Sequence, residues 1–226
     1  MDPVVIILLL WFLFTGTHTV LSHPPIREPL VARLSLRGYI FFYSSVAFAT
    51  LIPLVWAFFE YRTPSVVPLP SLAQSPGIWW VTMFLMFIAV MLLVLGFSRP
   101  NPVSSLMDKS GSSAMGALRI TRHPAFMGVA VMGLAHLLVN YSTIDRVFFG
   151  GLLIYPILGC AHQDWRRRQT SEPGRERYFA ETSFLPFVAI LQGRNKLVLR
   201  EFNPIAVCIG VAAYVSIFVF HHKIVG

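Results

Sequence analysis

Two histidines stand in stretches that water does not reach. His136 lies in the apolar run Pro124 to Asn140, and His18 lies where the apolar run from Val4 turns polar, as Thr15-Gly16-Thr17-His18-Thr19. An ionisable ring in hydrocarbon costs free energy, so it faces a partner, a ligand or a cofactor. Two neutral imidazoles from different helices of a bundle can hold a haem iron. The plainer alternative is that each ring hydrogen-bonds a carbonyl or a Thr hydroxyl across helices. No Cys-x-x-Cys-His attachment sequence occurs, so a haem would be bound noncovalently. The cluster Arg119-Ile120-Thr121-Arg122-His123-Pro124 has chemistry of its own. Arg122 and His123 stand at a span's entrance, where they offer donors to phosphate, carboxylate or propionate groups or simply anchor the interface.

The elements that carry these residues follow from composition. The chain has 226 residues, 55% hydrophobic and 12% charged, which is too apolar for a water-soluble core and points to an all-α bundle of membrane-spanning helices. A span needs about 20 mostly apolar residues. Six stretches qualify: Val4 to Ser22, Gly38 to Phe59, Ile78 to Phe97, Pro124 to Asn140, Val147 to His162 and Ile205 to Phe220, the fourth and fifth being short. Of the 18 Lys and Arg, 15 fall in the connections after the first, third and fifth stretches, leaving Arg62, Arg146 and Lys223 on the other side. The positive-inside rule then puts both termini outside and the basic loops in the cytoplasm. The net charge of +8 is thus mostly topology. Its expected counterions are anionic lipid headgroups, with no nucleic acid partner. Asp2, with no Lys or Arg before the first apolar run, makes the wrong start for a secretory signal, so that run is expected to be a retained helix. Cys160 and Cys208 fall inside spans without metal-ligand spacing and read as inert thiols.

On the fourth stretch, Ala125, Gly128, Met132 and His136 recur at helical spacing, a small-residue face that lets another helix or a flat ligand approach His136. Depth separates the two histidines. At about 1.5 Å per residue, His18 lies near the cytoplasmic end of its span and His136 nearer the outer end, a mismatch of roughly 10 Å or more. A fourth helix starting as early as Ser113, or helix tilt, would shorten it. His23 belongs among the headgroups. In the connection from Gln163 to Asn203, the apolar stretch Phe184 to Leu191 is too short to span and is expected at the interface.

These residues resemble a family. Gly16-Thr17-His18 through His23-Pro24-Pro25, the Arg119 to Pro124 cluster and Gly133-Leu134-Ala135-His136 look like the NnrU family of membrane proteins. The likeness continues through Asp164, Thr182 to Phe187 and Gly193-Arg194, so that residues 1–226 read as one NnrU-like membrane domain. The family includes the plant and cyanobacterial 15-cis-zeta-carotene isomerase, whose haem b isomerises a polyene in the membrane, and bacterial members named for a link to denitrification. Carried over by position, the resemblance implies His18 and His136 as ligands of haem b. It also implies a multi-pass protein of a bacterial inner membrane, with a redox or cis-trans-isomerase-like role and a lipophilic polyene or partner membrane proteins to act on. In the isomerase a cysteine lies three residues before the second histidine; here Gly133 takes that place.

A competing resemblance is to membrane methyltransferases of the isoprenylcysteine and phospholipid type. Arg122-His123-Pro124, Phe126 and Gly128 match their S-adenosylmethionine-binding motif, and Glu176-Arg177-Tyr178-Phe179 matches a later segment loosely. A third reading is a non-enzymatic assembly or regulatory factor. Haem colour, colourless adenosylmethionine binding, or a co-purifying partner separates the three.

Overall fold

Long apolar stretches in lipid must satisfy their backbone internally, which a single segment does only as a helix. A computed structural model describes residues 1–62, 75–101, 103, 114–169 and 174–225, with side chains to His221. Nine α-helices run in order among these residues: α1 Pro3–Ser22, α2 Pro24–Tyr61, α3 Pro76–Phe97, α4 Ala117–Ile120, α5 Pro124–Leu137, α6 Thr143–Arg168, α7 Arg175–Glu181, α8 Val188–Leu191 and α9 Pro204–Val225. Their starts are written locally. Asp2 accepts the Val4 N–H at 2.7 Å, Ser142 accepts the Asp145 N–H at 3.0 Å, and Pro opens α1, α2, α3 and α5.

Five helices are long and apolar enough to cross a membrane, namely α1, α2, α3, α6 and α9. The expected sixth, α5, is a 14-residue helix, about 21 Å long, wedged between α3 and α6. It nevertheless links the same two levels as α6. His123, just before it, pairs with Asp164 near one end of α6, while Asn140, just after it, meets Arg62, the partner of Asp145 at the other end. The early start at Ser113 falls outside the described residues.

Two glycines let α5 sit this close. A Cβ on Gly128 would come within 2.6 Å of the Ala89 carbonyl of α3, and one on Gly133 within 2.7 Å of the Leu153 nitrogen and Phe149 carbonyl of α6. Of the small-residue face anticipated around His136, Gly128 meets α3, while Gly133, which lies outside that face, meets α6.

The second expected span begins as part of a longer helix. α2 covers 38 residues but breaks at Ser35, where φ is 62° and ψ 167°. The Ser35 hydroxyl accepts the Gly38 N–H at 3.4 Å and so caps the spanning half. The piece before it carries Arg27 and Arg33 and links the end of α1 to that half.

The main core joins α1, α2 and α6 through Ile7, Trp11, Phe14, Leu54, Phe58, Phe148 and Phe149. Outside it, Phe12, Phe41, Trp56, Trp80 and Ile205 are each more than 60% exposed, as lipid-facing residues are. The start of α1 and the end of α9 lie at the Arg62 end of the bundle, and the arginine-rich segments lie at the other.

At that basic end the connection after α6 folds against α4. Arg119 binds Glu201 through two hydrogen bonds of 2.6 and 2.7 Å, and the Thr121 hydroxyl donates to the Phe184 carbonyl at 2.6 Å. The Phe187 N–H, on a residue with φ of 66°, reaches the Ile120 carbonyl at 2.8 Å. The apolar stretch Phe184 to Leu191 is thus held at the end of the bundle beside the α4–α5 junction.

Candidate functional site: a histidine-lined cavity at the Arg62 end

His136 occupies the last turn of α5. Its Nδ1 lies 2.9 Å from the Met132 carbonyl oxygen. A carbonyl only accepts, so Nδ1 carries the proton and Nε2 keeps its lone pair. The ring stacks on Phe149 of α6 at 4.3 Å and lies 6.0 Å from the ring of His221 on α9, with 50° between their planes. Both imidazoles line a cavity of about 310 Å³, within the range of small-ligand sites.

The cavity has two kinds of wall. Trp79, Met83 and Met86 of α3 and Ile217 and Phe218 of α9 make it apolar, while Arg62, Asn140 and the histidines make one polar end. Arg62 is fixed there. Its Nε donates to Asp145 Oδ1 at 3.1 Å and its Nη2 to Asn140 Oδ1 at 3.2 Å, and Asn140 in turn donates to the His136 carbonyl at 2.9 Å. Asp145 is fully buried and also accepts from Ser142 Oγ at 2.7 Å. Thr82 also lines the cavity; it is 3% exposed, and its hydroxyl has no hydrogen-bond partner among the described residues. A buried orphan donor beside a cavity is a place where a bound molecule completes the hydrogen bonding.

The four residues singled out in the sequence fall in three places. His18 sits in an aromatic cage, with ring centres 4.4 Å from Tyr43, 5.4 Å from Phe14 and 5.7 Å from Tyr155, and its Nδ1 is buried without a partner among the described residues. Tyr155 lies six residues beyond Phe149 on α6, an offset of about 9 Å, so the structure does not bring His18 and His136 together.

Arg122 and His123 converge at the basic end, about 20 Å along α5 from His136. His123 Nε2 meets Asp164 Oδ1 at 2.7 Å, and Arg122 Nε lies 3.3 Å from Asp164 Oδ2. Phe179 is covered by the Arg122 guanidinium at 4.6 Å and by that of Arg168 at 4.4 Å. Burial pulls the Arg122 guanidinium below its ordinary range, and Asp164 opposes that shift. His23, expected among headgroups, stacks on Trp165 at this same end.

Sequence reasoning missed His221, Thr82 and Asp145. Two faint signals pointed to the last of these. Arg62 breaks the charge asymmetry, and Asp145 is an acid at the mouth of the fifth apolar stretch, on the same side of the membrane. Opposite charges sharing a charge-poor face pair readily.

Fold and cavity together describe a polytopic helical membrane protein with a histidine-lined cavity at one end. The chain belongs to the NnrU family, whose model matches residues 6–226. It is 34% identical over 82 residues to a chloroplastic 15-cis-zeta-carotene isomerase of Zea mays and 35% identical over 82 residues to that of Arabidopsis thaliana. Each match covers 36% of this chain and 22% of the relative, so the chain spans about a fifth of the curated relatives it matches. No solved structure matches it.

Proposed function

We propose that this NnrU protein is a membrane haem b protein in which His136 would be one of the residues that hold the haem. One observation carries the reading: Nδ1–H is committed to the Met132 carbonyl, leaving the Nε2 lone pair on a ring that lines a largely apolar cavity. Metal-bound histidines are held in this way, the second ring nitrogen donating to a carbonyl that fixes tautomer and orientation. Haem, when bound, supplies a one-electron centre within the bilayer.

The chain's own residues do the rest. Arg62, held by Asp145 and Asn140, offers a donor to a carboxylate at the polar end. Trp79, Met86 and Phe218 exclude water. His18 lies at another level of the bundle, beside Phe14, Tyr43 and Tyr155. The role proposed is redox or isomerase-like, toward a lipophilic substrate such as a polyene, in a bacterial inner membrane; a denitrification-linked role is the other family possibility. Gly133 weighs against a thiol-based ligand switch, since α6 backbone fills the space a side chain there would need.

A second reading, adenosylmethionine-dependent methyl transfer at the basic end, draws on Arg122. Its side chain is 7% exposed, and Nη1 is buried with no hydrogen-bond partner among the described residues. Absorption spectra of the detergent-purified protein, oxidised and dithionite-reduced, test the first reading. A Soret band with sharp reduced bands, abolished or altered in His136→Ala, is the expected result. A colourless protein from cells supplied with haem precursor, or an unchanged spectrum in that variant, overturns it. Adenosylmethionine binding by the colourless protein would favour the second.

A further inference from the structure

We infer that the basic end holds a second ligand site, in which Arg122, with Arg168 beside it, binds a phosphate group, free or on a lipid headgroup. The inference stands apart from the haem reading and concerns the other end of the molecule. Arg122 is fixed through its backbone: its N–H donates to the Ser183 carbonyl at 3.0 Å, and its carbonyl accepts from Asn101 Nδ2 at 2.9 Å. The guanidinium is not so provided for. The side chain is 7% exposed, yet Nε and Nη1 are buried with no hydrogen-bond partner among the described residues. Buried donors, above all on a cation, are as a rule satisfied, so two orphans on one group mark a place for an acceptor.

Asp164 does not fill that place. Its Oδ1 is taken by His123 Nε2 at 2.7 Å, and its Oδ2 stands 3.3 Å from Arg122 Nε without completing a hydrogen bond. One carboxylate therefore answers both an arginine and a buried histidine. Arg168 and Arg194 act on Arg122 as like charges and add to the positive side. The exposed Arg168 lays its guanidinium 4.4 Å from the centre of the Phe179 ring, which Arg122 covers at 4.6 Å, so both cations share one ring. A phosphate group brings negative charge and several acceptor oxygens, and arginine meets it with charge-assisted bonds. The excess of positive charge at this end draws such a group from either source.

The test is the phosphate held by the full chain, purified in detergent and washed of loose lipid, for wild type, Arg168→Gln and Arg122→Gln. Bound phosphorus is measured first, and uptake of labelled orthophosphate follows by equilibrium dialysis at constant ionic strength. The expected result is one phosphate per chain. Phosphorus retained as phospholipid identifies a headgroup, and uptake of orthophosphate identifies a free ion. Arg168→Gln, a change at an exposed side chain, should hold the group about tenfold more weakly, and Arg122→Gln should hold none. Should Arg122→Gln fail to fold, Arg168→Gln decides the matter. A wild type that neither retains nor takes up phosphate, or an Arg168→Gln variant that equals the wild type, overturns the inference. Adenosylmethionine binding by a chain that holds no phosphate overturns it in favour of methyl transfer.

Discussion

Gly133 shows how one missing side chain shapes the site. Without a Cβ, α5 approaches α6 until the Gly133 Cα faces the backbone of Phe149 and Leu153, and Phe149 lies flat against His136. Gly133→Ala places a methyl group 2.7 Å from two backbone atoms, a contact that no rotamer relieves. We expect it to cost about 1 to 3 kcal/mol and to lower the thermal midpoint in detergent. A midpoint equal to wild type would show that α5 and α6 separate freely. His136 was legible in the sequence because a titratable ring in an apolar run has few explanations. His221 was not, because it closes the last apolar run, where a histidine reads as an interfacial residue until its neighbours in space are known. Thr82 was hidden for another reason: a threonine in a spanning helix normally bonds its own backbone, and only the fold shows that this one does not.

Among the elements, α5 and the basic-end segments show what hydropathy conveys and what it omits. Six apolar stretches are visible in the sequence, and the one that becomes α5 is short. How it still links both ends of α6 depends on Asp164 and Arg62, contacts across 41 and 78 positions of sequence that periodicity cannot reveal. The Ser35 break was equally hidden, since serine there carries no glycine-like mark of positive φ. The joint between α4 and the turn before α9 yields a pH prediction. Hydrogen bonds from Arg119, helped by the Gly116 N–H, hold the Glu201 carboxyl below the usual carboxylate range. A carboxylate with a depressed folded pKa stabilises the protein fully above its unfolded value of about 4.3 and loses that stabilisation as pH falls through the folded value. Glu201→Gln should therefore cost about 1 kcal/mol at neutral pH, where partial exposure screens the pair. Melting curves from neutral to acid pH should show the gap between variant and wild type closing. A gap independent of pH would assign the cost to shape and not to charge.

For the whole molecule, the distribution of charge and the fold agree on a two-ended object. Arg62, Asp145 and the cavity occupy the end that holds the start of α1 and the end of α9, and Arg119, Arg122, Arg166 and Arg194 cluster at the other. On the positive-inside rule the basic end is expected in the cytoplasm. Single-cysteine variants labelled by a membrane-impermeant maleimide in intact cells check this. Asp2→Cys should label at once and Gln192→Cys only after permeabilisation, and the opposite pattern would invert the protein in its membrane.

The break in α2 has a consequence for the lipid itself. Ser35 sits in a backbone region that glycine alone enters freely, at a cost of about 1 to 3 kcal/mol. The eleven residues before it bring Arg27, which covers the Tyr39 ring, and the exposed Arg33 to the basic end, and an arginine beside an anionic leaflet gains about 1 kcal/mol. The two quantities are of one size. Were that end to face an anionic leaflet, the lipid composition would weigh against the backbone cost of the joint.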